Sequence, residues 1–572
     1  MKNWVVKKRK SSDIITQLLL NRRIKPKESG DFFNPNFDKD LKDPFKLAGI
    51  KKVVNLIKKL RRSKEKIAIW GDYDVDGVTS SALLSETLTK LNIKSYVYIP
   101  TRKEGYGLNM AGIERISQKG ISTIFSVDCG ITSIDEIEYA KTLGMKFIIF
   151  DHHIPEKDLP KAYAIINPKL PKCRYPFKDL SACGVVYKLV SALHKTYPKK
   201  ISEGFVKWSL DLVGISITSD VVPLIEENRV LLKYAMVVIP KTRKIGLSEL
   251  LDRAGVNREN ISTYTLGYQI GPRLNAPGRI NDATISYKLL TTKDKKRAVE
   301  LAKTLDRENR ERQKILEKAL EQAERKIKKK ELEKNKLIFI GDKRWHSGIV
   351  GLIAGKLQER YHRPALVFQE LDKISKGSAR SIRTFHITEA LRKCKKYLIN
   401  CGGHKAAAGF SFKNDNFKKI KKKLENVANT EIKDKDLVEK IKIDAEIFLR
   451  DVDLDLVRKL KLFEPTGLGN RRPLFLAKRV EISDIKGVGK DYKHLRMHLK
   501  IDHKKILAET EKENLEPVPF TPTLQSIGFD QGHWCERLKK GDRIDIVFSL
   551  DEDTWRGNTR VDVKIIDLRK SK

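Results

Sequence analysis

The chain has 572 residues, too many for one compact core, and 40% of them are apolar, enough for several ordinary globular cores. Its 116 basic against 74 acidic residues leave a formal charge of +42. That favours a polyanionic partner, nucleic acid first, because phosphates bound by Lys and Arg release their counterions. Six cysteines without a CxxC pair argue against a zinc ribbon or a disulfide framework. No apolar run is long enough to span a bilayer, so a cytoplasmic protein without a membrane partner is expected.

Residues 1–45 are basic and poor in regular pattern, with Pro26, Pro35 and Pro44 as breakers. Over 46–240, short β-rich runs alternate with helical stretches. The run 67–70 ends in Gly71-Asp72, a helix is predicted over 78–91, and a strand over 96–99. The run 123–127 closes on Asp128 and the run 146–150 closes on Asp151. This predicts a parallel sheet with helices on both faces, in which ligands bind at the carboxyl ends of the strands. Residues 241–335 read as an interdomain region. It holds a highly charged stretch free of Gly and Pro, from about Ala298 to Lys336, predicted to be a long connecting helix. A second α/β lobe is expected over 336–432. From 433 to 572 the pattern turns largely β, with strands near 474–482, 494–501, 542–550 and 560–568. That suggests a small barrel, and an OB-fold would suit single-stranded nucleic acid. His494, His498 and His503 in this part read as surface residues.

The chemistry concentrates at the strand ends. Gly71-Asp72-Tyr73-Asp74-Val75-Asp76-Gly77 puts three carboxylates at spacing two, mutually repulsive without a counter-charge. A hard divalent cation, which prefers oxygen ligands, resolves that repulsion. An EF-hand does not fit, because Leu83 stands where the twelfth-position Glu belongs. Asp128 and Asp151-His152-His153 end two more strands, and Asp220 ends the helical stretch 205–218. Carboxylates beside imidazoles suit a pair of ions that stabilise the attacking and leaving oxygens of a phosphodiester displacement.

These segments resemble, in order, the four signature motifs of the DHH phosphoesterase superfamily: GDYDVDG at 71–77, SVDCG at 126–130, DHH at 151–153 and SITSD at 216–220. PTRKEGYGL at 100–108, GPRLNAPGRI at 271–280 and LDRENRERQ at 305–313 are similar to the narrower RecJ family. WHSGIVG at 345–351, KGSARSI at 376–382 and CGGHKAAAG at 401–409 look like the associated DHHA1 domain. FEPTGLGN at 463–470 is similar to the family's C-terminal OB domain. The resemblance covers nearly the whole chain. It implies two α/β lobes, DHH and DHHA1, joined by a long helix, plus a C-terminal OB β-barrel.

By the same resemblance, the expected activity is single-stranded-DNA-specific 5′→3′ exonuclease action in DNA recombination and repair, releasing 5′-mononucleotides with two Mn²⁺ or Mg²⁺ ions. Asp74, Asp76, Asp128, His152 and Asp220 would be metal ligands. His153 would contact the scissile phosphate, and Asp151 would orient a histidine. Asp72 lies outside that set. Trp70 stands where several relatives in the wider superfamily carry a metal-binding histidine, which leaves one ion with fewer protein ligands. Arg102, Tyr106, Arg273, Arg279, Ser378, Arg380, Gly402, Gly403 and His404 lie in the motifs the family places around the strand, although Arg273 and Arg279 could instead brace the two lobes. Trp345 and His346 could pack or stack a base. A single-stranded-DNA-binding protein and a helicase are the protein partners considered. The competing readings are a DHH phosphodiesterase acting on short RNA or signalling nucleotides, a non-catalytic replication or repair scaffold, and a plain single-strand-binding module.

Overall fold

The structure, a computed structural model, describes residues 2–63, 65–501, 523–555 and 558–571. The chain forms two compact units. One is Asn36–Leu437, and the other joins Met1–Pro35 to Val438–Lys572.

In the larger unit, β1 (Ile67–Gly71), β2 (Ser95–Tyr98), β3 (Thr123–Val127), β4 (Lys146–Phe150) and β5 (Ala164–Ile166) form a wholly parallel sheet ordered β2-β1-β3-β4-β5. Successive residues of a strand face opposite sides. Here Ile69, Phe125 and Ile148 enter one core, while Ala68, Ile124 and Ile149 enter another on the opposite face. With both faces covered, the strands read as unbroken apolar runs rather than alternating ones. The chain leaves β1 for β2 on one side and then crosses back to β3 on the other. The crevice beyond the ends of β1 and β3 is therefore a topological switch point. Asp72 to Asp76 follow β1, and Asp128 follows β3.

Three helices frame that crevice: α1 (Val75–Lys90), α2 (Ala182–Thr196) and α3 (Leu210–Ser219). Lys188, in the middle of α2, pairs with Glu227, and both side chains are almost inaccessible to solvent. Glu227 also accepts from the Lys42 amide at 2.7 Å and from the Tyr175 hydroxyl at 2.6 Å. This buried network fixes α2 against the segment that follows Asp220. After α4 (Gly271–Ile280) comes α5 (Lys295–Lys329), a 35-residue helix, about 52 Å long at 1.5 Å per residue. Ala302 and Leu305, near its start, belong to the core of the first lobe. Ala319, Ala323 and Ile327, near its end, belong to a core of the second. The expected connector is thus one rigid element shared by two hydrophobic cores.

The second lobe contains β6 (Ile338–Asp342), α6 (Ser347–Tyr361), β7 (Ala365–Glu370), β8 (Ile374–Arg380), β9 (Leu398–Gly403) and β10 (Ala407–Lys413). Its sheet runs β9-β10-β8-β7-β6, with only β6 and β7 parallel.

The smaller unit is built on β11 (Phe475–Val488), β12 (His494–Lys500), β13 (Thr523–Gly528), β14 (Arg543–Trp555) and β15 (Asn558–Lys570). Pairing β11-β12-β13-β15-β14 and back from β14 to β11 closes the sheet into a five-stranded barrel, with β13 and β15 parallel. This is the OB arrangement. The long β11 serves two neighbours because its register shifts between Ala477 and Val480, where Arg479 takes a left-handed φ of 54°, as bulged strands do. Residues 1–45 show little regular pattern in sequence. Yet Asn3–Val6 pairs in parallel with Lys440–Ile443, and the helix Ile14–Asn21 puts Leu18 and Leu19 into the barrel's core. Among the described residues, no helix is long and apolar enough to cross a membrane.

The Lys188–Glu227 pair offers a stability test. Removing one partner of a buried ion pair strands the other charge, at a cost of about 3–5 kcal/mol. Lys188→Met should lower unfolding free energy by that amount in denaturant titrations, and a loss below about 1 kcal/mol would show that Glu227 is solvated.

Candidate metal centre and active site

The loop after β1 presents its carboxylates by a local capping rule. Asp74 is the N-cap of α1, and its Oδ1 accepts from the amides of Asp76 at 2.9 Å and Gly77 at 3.1 Å. Gly77 is required by close approach, since a Cβ there would sit 2.5 Å from the Asp72 carbonyl oxygen. Asp76, in the first turn of α1, is buried. It accepts from the first amides of α2, Ala182 at 2.8 Å and Cys183 at 2.9 Å, and from the Ser216 hydroxyl at 2.6 Å. Asp72 is buried with its Oδ1 lacking any hydrogen-bond partner. Asp128 leaves β3 with a left-handed φ of 64°, which turns its carboxylate into the same crevice.

These anions raise one another's proton affinity. Burial, reinforced by the charge on Asp74, pushes Asp76 up to about 6. Burial, with the charges of Asp76 and Asp74, pushes Asp220 up to about 8. Asp72 and Asp128 are driven well above the ordinary carboxylate range, by burial first and then by their acidic neighbours. Such a cluster is kept ionised at neutral pH only by a concentrated positive charge.

His152 supplies a matching nitrogen. Its Nδ1 lies 3.1 Å from the Leu180 carbonyl, which can only accept, so Nδ1 carries the proton. Burial, with the neighbouring His153 charge, holds the ring neutral, down to about 3. Its buried Nε2 therefore presents a lone pair and has no hydrogen-bond partner. That atom lies 3.3 Å from Asp128, 3.6 Å from Asp220 and 3.8 Å from Asp76. Ligand atoms from Asp76, His152 and Asp220 lie within 4.8 Å of one another, as do those of Asp72, Asp74 and Asp128 and those of Asp128, His152 and His153. The donor set fits hard divalent cations, and Asp128 belongs to two of the groups. Asp72, left outside the expected set, is brought into it. Its signal was the alternate spacing in DYDVD, which backbone geometry was needed to resolve.

Asp151 has a different job. It accepts from the amides of Ile131, His152 and His153 and from His153 Nδ1 at 2.7 Å. Burial would raise it, but the His153 hydrogen bond and charge outweigh burial and hold it at about 2. A carboxylate so fully used orients the histidine and does not compete for a cation. Burial works against a charge on His153, yet the Asp151 bond and the surrounding acids lift it to about 9. Its Nε2 lies 3.5 Å from the Tyr106 hydroxyl, and its ring lies parallel to that of His404 from the second lobe, centroids 6.1 Å apart. Trp70 is fully buried and packs on Tyr98 at 4.5 Å, so it belongs to the core and offers no ligand.

The remaining expected residues divide. Arg102 lies 4.3 Å over the Tyr73 ring and donates to the Gly278 carbonyl at 2.6 Å. Gly278 also lets the acidic loop pack closely on α4, because a Cβ there would meet the Tyr73 carbonyl oxygen at 2.3 Å. Arg279 donates across the lobes to the Gly348 carbonyl at 3.2 Å. Burial, together with the charges of Arg102 and Arg312, brings it down to about 9. Arg380 is pinned in β8 by Ser378 Oγ at 3.1 Å and is lowered by burial. Arg273 is committed to bracing, since it bonds Asp306 of α5 at 3.0 Å and the Gln269 carbonyl at 2.7 Å. Gly402 and Gly403 close β9, and the amide of His404 bonds the Ala407 carbonyl at 2.7 Å. Trp345 is buried and donates to Gln322 at 3.1 Å, which makes it a packing residue, while His346 caps α6. Asn275, not anticipated, accepts from the Val75 amide at 3.2 Å and ties α4 to the acidic loop. His494 and His498 lie half-buried on β12, and His503 lies outside the described residues.

The fold and this carboxylate–imidazole cluster define a two-lobed phosphoesterase-type core with a candidate dication centre. Family models match accordingly: the DHH family N-terminal domain at 66–215, the DHHA1 domain at 334–430, and the RecJ OB domain at 443–509 and 514–567. The single-stranded-DNA-specific exonuclease RecJ of Bacillus subtilis is 34% identical over 561 residues, 98% of this chain and 68% of that protein. The protein of the same name from Escherichia coli is 30% identical over 544 residues, 91% of this chain and 90% of that protein. The crystal structure of RecJ in complex with Mn²⁺ from Thermus thermophilus superposes with a TM-score of 0.81 at 25% identity, covering 100% of this chain and 80% of that one. The chain belongs to the RecJ family.

A cation bound by this cluster should stabilise the fold. Mn²⁺ at about 100 times its dissociation constant adds about 2.7 kcal/mol, so Tm should rise by several degrees and fall back on chelation. In Asp74→Ala/Asp76→Ala the rise should vanish. A wild-type Tm indifferent to both Mn²⁺ and Mg²⁺ would sink the metal assignment.

Proposed function

We propose that this chain is a single-stranded-DNA-specific exonuclease that hydrolyses phosphodiester bonds from the 5′ end and releases 5′-mononucleotides, acting in DNA recombination and repair with two Mn²⁺ or Mg²⁺ ions. The observation that carries this reading is the convergence of Asp72, Asp74 and Asp128 with Asp76, His152 and Asp220 at one switch point, around a buried, unpartnered imidazole nitrogen. Asp74, Asp76, Asp128, His152 and Asp220, joined by Asp72, would hold the ions. When bound, such ions supply Lewis acidity and charge neutralisation to the phosphodiester and the water that attacks it. Leu180 keeps His152 in the tautomer that offers Nε2. Asp151 aims His153, whose charged ring can donate to a phosphate oxygen. Arg102, Arg279 and Arg380 supply guanidinium charge beside it, and guanidinium binds phosphate oxygens in pairs. Tyr106, Ser378, Gly402, Gly403 and His404 complete the contacts, and Arg273 acts by bracing.

A working division of 46–240 for the catalytic domain, 336–432 for DHHA1 and 433–572 for the OB domain is supported by the spans of the family matches. The RecJ OB match also disfavours a phosphodiesterase confined to short RNA or signalling nucleotides. A cytoplasmic location suits the DNA substrate. A single-stranded-DNA-binding protein and a helicase are the protein partners to test, and the basic charge of the chain supports partners that travel with DNA.

Single-stranded DNA labelled at its 5′ end should yield labelled mononucleotide early in the reaction, and 3′-labelled DNA only late, with duplex resistant. Asp74→Ala/Asp76→Ala should cut kcat by at least about a thousandfold. Intact strand in every metal and polarity, with binding preserved, would favour a scaffold. Asp151→Asn should lower activity about 10–100-fold, the usual cost of losing a residue that orients a ligand. Full activity in that variant would mean that His153 needs no orienting partner.

A further inference from the structure

The segment preceding α4 contains a π-helical turn, Thr265–Ile270, where the Gly271 amide bonds the Leu266 carbonyl five residues back. The sequence explains it: Pro272 has no amide hydrogen for the carbonyl of Tyr268, so the ordinary helical bond cannot form there. Single π turns of this kind concentrate at functional sites. Arg273 braces the turn through the Gln269 carbonyl and Asp306. Tyr268 stands on it and Tyr264 immediately precedes it, and the two rings stack with centroids 5.0 Å apart and planes 18° apart. They are 62% and 70% exposed. Two large rings held together in water, on a braced turn, contribute nothing to either core.

Against the same turn lies an arginine-lined cleft of about 100 Å³. Gly267 and Gly271 of the turn, Ser219 next to Asp220, Asn275, Arg279 and Arg312 line it. Arg312 is 9% exposed, and its Nε is buried without a partner. The cleft is thus lined both by glycines of the turn that carries Tyr268 and by Ser219, the chain neighbour of Asp220.

We propose that Tyr264 and Tyr268 form a base-stacking step, on which one nucleobase of the single strand rests while its backbone phosphate occupies the cleft beside Arg312. This rests on the exonuclease reading above and adds a positioning contact to it. A ring face accepts any base, so the step holds the strand without choosing its sequence.

The test uses the full-length protein and a phosphorothioate-protected single strand carrying 2-aminopurine at one position at a time. Fluorescence should be quenched at a single position measured from the 5′ end. The quench should be lost in Tyr264→Ala/Tyr268→Ala and kept in Tyr264→Phe/Tyr268→Phe, because phenyl rings still stack. Affinity for the strand should fall about tenfold in the alanine pair. An abasic site at the quenched position should cost wild type a similar factor and cost the alanine pair nothing further. Absence of a position-specific quench, or additive effects of the abasic site and the alanine pair, overturns the stacking step. Mononucleotide release is followed in parallel on an unprotected strand. A protein that quenches but does not hydrolyse sinks the exonuclease reading and leaves the stacking step standing. One that hydrolyses without a position-specific quench does the reverse.

Discussion

Asp72, Asp74, Asp76, Asp128, Asp151 and Asp220 share one crevice, and taking carboxylates out of water is expensive unless each finds a donor or a cation. The protein answers differently for each. Asp151 is saturated by three amides and an imidazole. Asp76 is held by the start of α2 and by Ser216. Asp72 keeps an oxygen with no protein partner at all. The leftover negative charge makes the crevice a cation trap, and the surrounding elements are arranged so that it stays leftover. The carbonyl of Leu180 prevents His152 from turning its lone pair away, and the network around Lys188 and Glu227 keeps the amides of α2 in place.

Opposite charges are then set side by side without cancelling. Arg102, Arg279 and Arg380 approach the same region, yet their hydrogen bonds go mainly to carbonyls of Gly278, Gly348 and Ala379 and to Ser378, not to the acidic cluster. Burial, with the charges of Arg102 and Arg312, lowers the Arg279 guanidinium to about 9. Arginines that repel one another beside unpaired carboxylates are poor economy for a scaffold and good preparation for a phosphodiester, whose anionic oxygens meet the arginines while cations meet the acids.

Much of this was legible beforehand because the informative residues sit where the pattern changes. Asp128 and Asp151 end apolar runs, and an apolar run that stops at a carboxylate marks the open end of a buried parallel strand. The long helix was visible as charge without Gly or Pro. What escaped was whatever depends on distant pairing. Asn3–Val6 is four residues long and finds its partner at Lys440–Ile443, so no local period could reveal it. Strand β13 buries every second residue, but two of those are Ser526 and Gly528, so its six positions show no apolar period. Trp345 could be read either way until its ring was seen buried, and Asp72 could be told from a solvated turn residue only by the backbone that folds over it. Arg273 kept its motif but took the bracing role, because Asp306 on α5 comes within reach.

Helix α5 is anchored in both lobes. Because Leu305 lies in one core and Ala319 in another, the two lobes are keyed to a common screw. Each residue added between those positions would advance the second lobe by about 1.5 Å and turn it by about 100°. His404 would then leave His153, and Arg380 of β8 would leave Arg279. The length of this helix is thus a phase as much as a distance. Evolution can lengthen the loops of either lobe freely, but it can alter this span only in steps that restore the angle.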